Sequence, residues 1–240
     1  MIVIPAIDLK DGKCVRLLQG REEDVTVYSE DPAAMARHWE SLGAELLHVV
    51  DLDGAFTGEQ KNFKQIRAIR EAIKIPIELG GGIRDIERID LLVNLGVDRT
   101  IIGTSAAKNP EMIRDACVKH PGKVIVGIDA KDGKVAVKGW VEVMELDAIE
   151  FAKQMQDAGA ACIIYTDISR DGMMTGPNIE AMAKMVEAVD IPVIASGGVS
   201  KLDDVKALNE IPGLWGVITG KALYSEALDL KEAIAVTKGK

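Results

Sequence analysis

The sequence predicts an α/β fold, a closed (βα)8 barrel made of two duplicated (βα)4 halves, and three observations predict it. Eight short apolar runs alternate with helix-patterned segments along 240 residues, a length that suits one barrel of this kind. Most runs are continuous rather than alternating, as expected of parallel strands buried on both faces. Landmarks of the first half also return in the second, 116 positions on: Leu42-Gly43-Ala44 as Ala158-Gly159-Ala160, Asp51 as Asp167, Ile75-Pro76 as Ile191-Pro192, and Gly81-Gly82 as Gly197-Gly198. Thr57-Gly58 returns as Thr175-Gly176 and Asp8 as Asp129, with the drift that small loop insertions produce. An open doubly wound sheet would use fewer strands and usually carries a G-x-G-x-x-G turn after the first; none follows here.

Taken in order, the candidate strands are Ile2–Ile7, Leu46–Val50, Pro76–Leu79, Arg99–Ile102, Val124–Ile128, Ala161–Tyr165, Pro192–Ala195 and Trp215–Ile218. Asp31-Pro32 and Asn109-Pro110 each set an N-cap before a first-turn proline. Asp147 with Glu150 reads as a capping box. A helix over 178–189 places Met182, Met185, Val186 and Val189 on one core-facing side. Gly43, Gly96 and Gly159 suit the left-handed stop that ends a helix before the next strand. The result is a TIM barrel in one domain, residues 1–240, with half-barrels at about 1–120 and 121–240 and no linker between them.

The formal charge of −9 argues against nucleic acid, which rewards clustered Lys and Arg. It leaves room for a small phosphorylated ligand, which a few local donors can bind. Cys14, Cys117 and Cys162 are scattered, without metal or disulfide spacing. The start Met1–Ile7 is too short for a signal peptide and meets Asp8 at once, and no apolar run approaches a membrane span. A cytoplasmic protein is expected, monomeric, without an obligate protein partner and without membrane contact.

The chemistry is expected at the strand ends, which gather on one face of such a barrel. Asp8 and Asp129 hold matching places: each closes an apolar run, and each is followed by Lys-Asp-Gly-Lys. Duplicated in register, the pair reads as an acid and a base on opposite sides of the mouth rather than as two loop caps. Gly80-Gly81-Gly82 and Ser196-Gly197-Gly198 are matched glycine loops after the third and seventh runs. The fourth and eighth runs lead to Gly103-Thr104-Ser105-Ala106 and Gly220-Lys221-Ala222. As a set these read as two phosphate pockets half a barrel apart, since glycine lets backbone N–H groups approach an anion.

Thr166 follows the sixth run and suits a hydrogen bond to a sugar hydroxyl or a catalytic carboxyl; Asp171-Gly172 and Thr175-Gly176 shape the loop after it. Arg16 and Trp140 lie in long loops after the first and fifth runs, Arg16 as an anion clamp and Trp140 either as a stacking face or as loop packing. His48, within the second run, reads as a satisfied barrel histidine. No His- or Cys-rich set suggests a metal, and no Ser-His-Asp spacing suggests a hydrolase.

These residues resemble the histidine-biosynthesis sugar isomerases, the phosphoribosylformimino-aminoimidazole carboxamide ribotide isomerase family. The resemblance rests on Ile4-Pro5-Ala6-Ile7-Asp8-Leu9, Cys14-Val15-Arg16-Leu17 and Gln19-Gly20, then on Val50-Asp51-Leu52-Asp53-Gly54-Ala55 and Gly80-Gly81-Gly82-Ile83-Arg84. It continues in Gly127-Ile128-Asp129, Gly139-Trp140, Tyr165-Thr166-Asp167-Ile168, Arg170-Asp171-Gly172 and Ser196-Gly197-Gly198-Val199. It implies an Amadori rearrangement of an aminoaldose that carries two phosphates. Asp129 is then the general acid, Asp8 the general base and Thr166 their positioning partner, and the imine serves as electron sink, so that no metal or organic cofactor is needed. The substrate-binding set expected from the strand-end loops is Arg16, Gly81, Gly82, Gly103, Thr104, Trp140, Asp171, Gly176, Gly197, Gly198, Gly220 and Lys221. Two related activities share this framework: a dual isomerase that also accepts phosphoribosylanthranilate, and the sister cyclase that makes imidazole glycerol phosphate. A non-enzymatic phosphosugar-binding scaffold is a third reading.

Overall fold

A computed structural model describes residues 1–18, 21–58, 61–137 and 139–239. Gln19-Gly20 and Lys240 lie outside the described residues. Eight parallel strands form a closed barrel: β1 (Ile2–Lys10), β2 (Leu47–Asp51), β3 (Ile77–Gly80), β4 (Arg99–Ile102), β5 (Val124–Lys131), β6 (Cys162–Asp167), β7 (Val193–Ser196) and β8 (Leu214–Thr219). Closure is made by β8 on β1, with Val3 opposite Val217 and Ile4 opposite Ile218. All eight candidate strands are present, six of them within two residues of the expected ends and β1 and β5 running three residues further.

The period of two along each strand sorts side chains between two cores. Ile4, Ala6, Ile125, Cys162, Ile164, Ile194 and Ile218 fill the barrel interior. Val3, Ile7, Leu9, Val49, Leu79, Val126 and Ile163 face the helices. Phe151, on the helix Ala148–Asp157, is 1 % exposed and is among the largest side chains of that outer layer. Phe151→Ala is expected to cost about 3–5 kcal/mol through the cavity it leaves, readable as a lower midpoint in urea at unchanged slope.

The helix starts follow the sequence signals. Asp31 accepts from the N–H of Ala34 at 2.9 Å, and Asn109 from that of Met112 at 3.3 Å. Asp147 accepts from Ile149 and Glu150, while the Glu150 carboxylate turns to Lys153; only half of the expected box forms. Met182 and Met185 are buried on the helix Ile179–Ala188. Gly43, Gly96 and Gly159 take φ of 98°, 97° and 97°. Among the described residues no helix is long and apolar enough to cross a membrane.

Two segments expected to be loops are strands. β1 and β5 run past their aspartates to Lys10 and Lys131 and then fold back on themselves. Lys13–Leu18 pairs antiparallel with β1, and Arg21–Ser29 pairs with it in turn. Lys134–Val137 and Glu142–Asp147 do the same beside β5. The cause is the repeated Asp-Gly: Asp11 and Gly12 have φ of 49° and 81°, Asp132 and Gly133 of 51° and 78°. Positive φ at both central residues is what a two-residue hairpin turn of the right twist requires. Asp8 and Asp129 therefore stand inside longer strands, each bordered by a hairpin, rather than at strand termini.

Candidate active site

One cavity of about 800 Å³ opens at the C-terminal ends of the barrel strands, and both Asp8 and Asp129 line it. The same cavity is lined by Arg16, Gly81, Gly82, Gly103, Thr104, Trp140, Thr166, Asp171, Gly197, Gly198, Gly220 and Lys221. Gly176 stands behind the wall instead: its N–H donates to the carbonyl of Gly198 at 3.0 Å, and its own carbonyl accepts from Arg170.

Asp8 faces inward from β1. Its Oδ2 lies 2.8 Å from Nη1 of Arg16, and each side chain is 15 % exposed. Arg16 was expected on a loop as a free anion clamp; it sits on the returning hairpin strand and is already engaged by a carboxylate. Its guanidinium also lies against Gly220, where a Cβ would collide with it. Burial works to lower its pKa, but the charges of Asp8 and Asp171 outweigh that and raise it.

Asp129 lies across the mouth on β5. Register places Thr166 of β6 directly beside it, and the carboxyl takes hydrogen bonds from the Trp140 indole and the Thr166 hydroxyl. Burial pushes its pKa above the ordinary carboxylate value, against the pull of those two bonds and of the nearby His48. Trp140 holds φ at 73°, a left-handed conformation that costs a bulky residue on the order of 1–3 kcal/mol. That backbone aims the indole into the cavity. Asp171 is the third carboxyl of the site. Burial raises its pKa, Arg16 and Lys221 lower it, and the charges of Asp8 and Asp129 raise it again; the net shift is upward.

The glycine loops flank this trio in two places. Gly81 and Gly82 have φ of 102° and 71°, and back onto the carbonyls of Asp51 and Gly54. Gly197 and Gly198 have φ of 92° and 88°, and back onto the carbonyls of Asp167 and Gly176. No residue with a side chain fits so close to a neighbouring backbone at these φ values. Gly103 and Gly220 precede the short helices Thr104–Lys108 and Lys221–Tyr224, and neither start carries a side-chain cap. β3 and β4 are neighbours in the barrel, as are β7 and β8, so the loops form two groups on opposite sides. Lys221 reaches over to donate to the carbonyl of Gly172 at 2.8 Å, tying the last loop to the one after β6.

Arg84, Ser105 and Lys108 also line the cavity, although sequence reasoning assigned them no role. His48, read from sequence as a satisfied barrel histidine, lines the cavity too, and shares the inward set with Ala6 and Asp8 in the register of β1 and β2. Its Nδ1 lies 2.8 Å from Oε1 of the fully buried Glu78. Lys108 lies four residues beyond Thr104 on the same short helix, a spacing that returns to the same face. Among the described residues no cluster of three or more His, Cys, Asp or Glu could hold a metal ion.

A family model described as "Histidine biosynthesis protein" matches residues 2–229 of the chain. The chain is 62 % identical, over all of its length and 98 % of the relative's, to the 1-(5-phosphoribosyl)-5-((5-phosphoribosylamino)methylideneamino)imidazole-4-carboxamide isomerase of Thermodesulfovibrio yellowstonii. It is 59 % identical to the protein of that name from Syntrophotalea carbinolica, with both chains covered in full. It is also 59 % identical to the one from Geobacter sulfurreducens, over 99 % of this chain and 98 % of the other.

Proposed function

Because this chain belongs to the histidine biosynthesis protein family and is an isomerase, we propose that it converts the bisphosphorylated aminoaldose named by its relatives to the corresponding aminoketose, by an Amadori rearrangement. The observation that carries this reading is the convergence of Asp8 and Asp129 on one cavity that two glycine-loop groups flank. A ligand with a phosphate at each end spans such a cavity and presents its central sugar to both carboxyls. One phosphate meets the backbone of Gly82 and Gly103 with Thr104; the other meets Gly198 and Gly220 with Lys221. The pairing of these loops with their counterparts 116 or 117 positions away supports an origin by duplication of a half-barrel.

Asp129 is the general acid. An acid must hold its proton at working pH, and burial favours that form. Its proton passes to the ring oxygen as the C1–O bond breaks, and the nitrogen lone pair forms the imine. Asp8 is the general base: it takes the proton from C2, and the C–H electron pair moves into the imine to give an enolamine. Ketonisation follows when C1 gains a proton and the C2 hydroxyl gives one up. Thr166 and Trp140 hold the acid in place, and the indole offers a face for a heterocycle. Arg16, paired with Asp8, keeps the base turned into the cavity.

The test is a spectrophotometric isomerase assay on the purified protein, with Asp8→Asn and Asp129→Asn beside it. Turnover of the aminoketose that needs ammonia would replace this reading with the cyclase. Rescue of a tryptophan auxotroph would widen it to two substrates.

A pH dependence follows with a definite sign. Activity needs protonated Asp129, so kcat/KM is expected to fall as pH rises through its raised pKa. The Trp140 indole stabilises the charged form; Trp140→Phe removes that support, so the alkaline limb should move to higher pH. A limb that stays put or moves down would remove Asp129 from the acid role.

A further inference from the structure

Corresponding hairpins of the two halves are tied down differently. In the first half the turn is held: the N–H of Asp11 donates to Asp53 Oδ2 at 2.8 Å and that of Gly12 to Asn62 Oδ1 at 2.9 Å. Asn62 is 1 % exposed. Its amide donates to Asp51 Oδ1 at 2.6 Å and Asp53 Oδ2 at 2.8 Å. In the second half, 116 positions on, Asp53 is replaced by Ser169 and Asn62 by Asn178. Ser169 turns its hydroxyl to Asp167 at 2.5 Å, and Asn178 spends its Oδ1 on the N–H of Ala181 at 3.1 Å. Between that loop and the turn Asp132-Gly133 lies a separate cavity of about 450 Å³, lined by both. Hydrogen bonds close the first junction; a gap separates the parts of the second.

We propose that Asp53 and Asn62 are positioning residues that pin the first hairpin to the loop after β2 and so hold the Arg16 guanidinium against Asp8. A hairpin has little stability of its own, and its register is set at its turn. Arg16 is placed by one short strand whose only covalent anchor to β1 is that turn. Fixing Asp11 and Gly12 therefore fixes where Arg16 meets Asp8, at 2.8 Å. This inference rests on Asp8 as the base; failure of that reading would appear as near-normal turnover in Asp8→Asn, which the following experiment does not use.

The test is a double-mutant cycle on kcat between Asp53→Ser and Arg16→Met. Asp53→Ser transplants the residue that the second half carries at the same place, so the fold is expected to accept it. Misplacing a polar group by about 1 Å costs roughly tenfold to a hundredfold in rate, and that loss of kcat is expected for Asp53→Ser. Asp53→Asn keeps an acceptor oxygen and should retain most activity. In the Arg16→Met background Asp53→Ser should change kcat by less than about threefold, because the group it positions is gone. Near wild-type kcat in Asp53→Ser, or losses that multiply independently, would overturn the inference. A check that needs no variant is amide exchange in the wild-type protein. The N–H groups of Asp11 and Gly12 should exchange at least about tenfold more slowly than those of Asp132 and Gly133; equal rates would also overturn it.

Discussion

Asp129→Asn is expected to cut kcat by roughly 10²–10⁴, the range general acid catalysis supplies, and at the same time to raise the melting temperature at neutral pH. Both effects come from one cause. Burial disfavours the charged carboxylate, so its pKa in the folded protein lies above that of the unfolded chain. Below the unfolded value, near 3.8, the group is neutral in both states and carries no penalty. As pH rises, the unfolded chain loses its proton first and stability falls; the loss is complete once pH has passed the raised folded value. Asparagine is neutral throughout, so its advantage should be present at pH 7 and vanish near pH 3. Each pKa unit corresponds to about 1.4 kcal/mol, or a few degrees in a protein of this size. Asp8→Asn is expected to lose a comparable factor in kcat. Paired activity assays and thermal melts at two pH values check the set; near-normal turnover in both variants would defeat the assignment.

Gly81→Ala is expected to be the most damaging small change in the chain. A Cβ there would overlap the carbonyl of Asp51, at a φ of 102° that favours glycine. Strain and overlap together are expected to cost about 3 kcal/mol or more, with binding lost as the loop shifts. From sequence alone, bulk at Gly81 or Gly197 is expected chiefly to weaken substrate binding. The structure changes that expectation, because the backbone behind each glycine resists it first. The cleaner probe is Gly103→Ala: φ is −103° and the nearest atom to a new Cβ is 3.7 Å away. That variant should melt normally and raise KM roughly tenfold, as a methyl group obstructs close approach of an anion to the backbone. An unchanged KM would remove Gly103 from the phosphate pocket.

Much of the site was legible because the barrel turns strand ends into neighbours. Asp8 and Asp129 are 121 positions apart, yet the closed sheet brings both to one cavity. The glycine loops were legible as a set, since their spacing repeats. Arg16 and Trp140 were recognised but their settings were not. The Asp-Gly turns on which their hairpins depend read as turns into long loops, although Asp-Gly between β-prone runs is a strong hairpin signal. Glu78, the partner that satisfies His48, escaped notice because an inward polar pair inside a barrel looks, in one dimension, like two isolated residues in apolar runs.

Continuous apolar runs, helix starts and stops, and the repeated landmarks were enough to define eight strand–helix units and their order, since local periodicity and capping act within a few residues. Which groups touch was decided only by closure. The Arg16–Asp8 ion pair, the Trp140 and Thr166 bonds to Asp129, and the Asn62 latch all depend on register between strands or loops brought together in space. Register is a property of the assembled sheet, and hydrogen bonds and charges act over a few ångströms of space, whatever the distance along the chain.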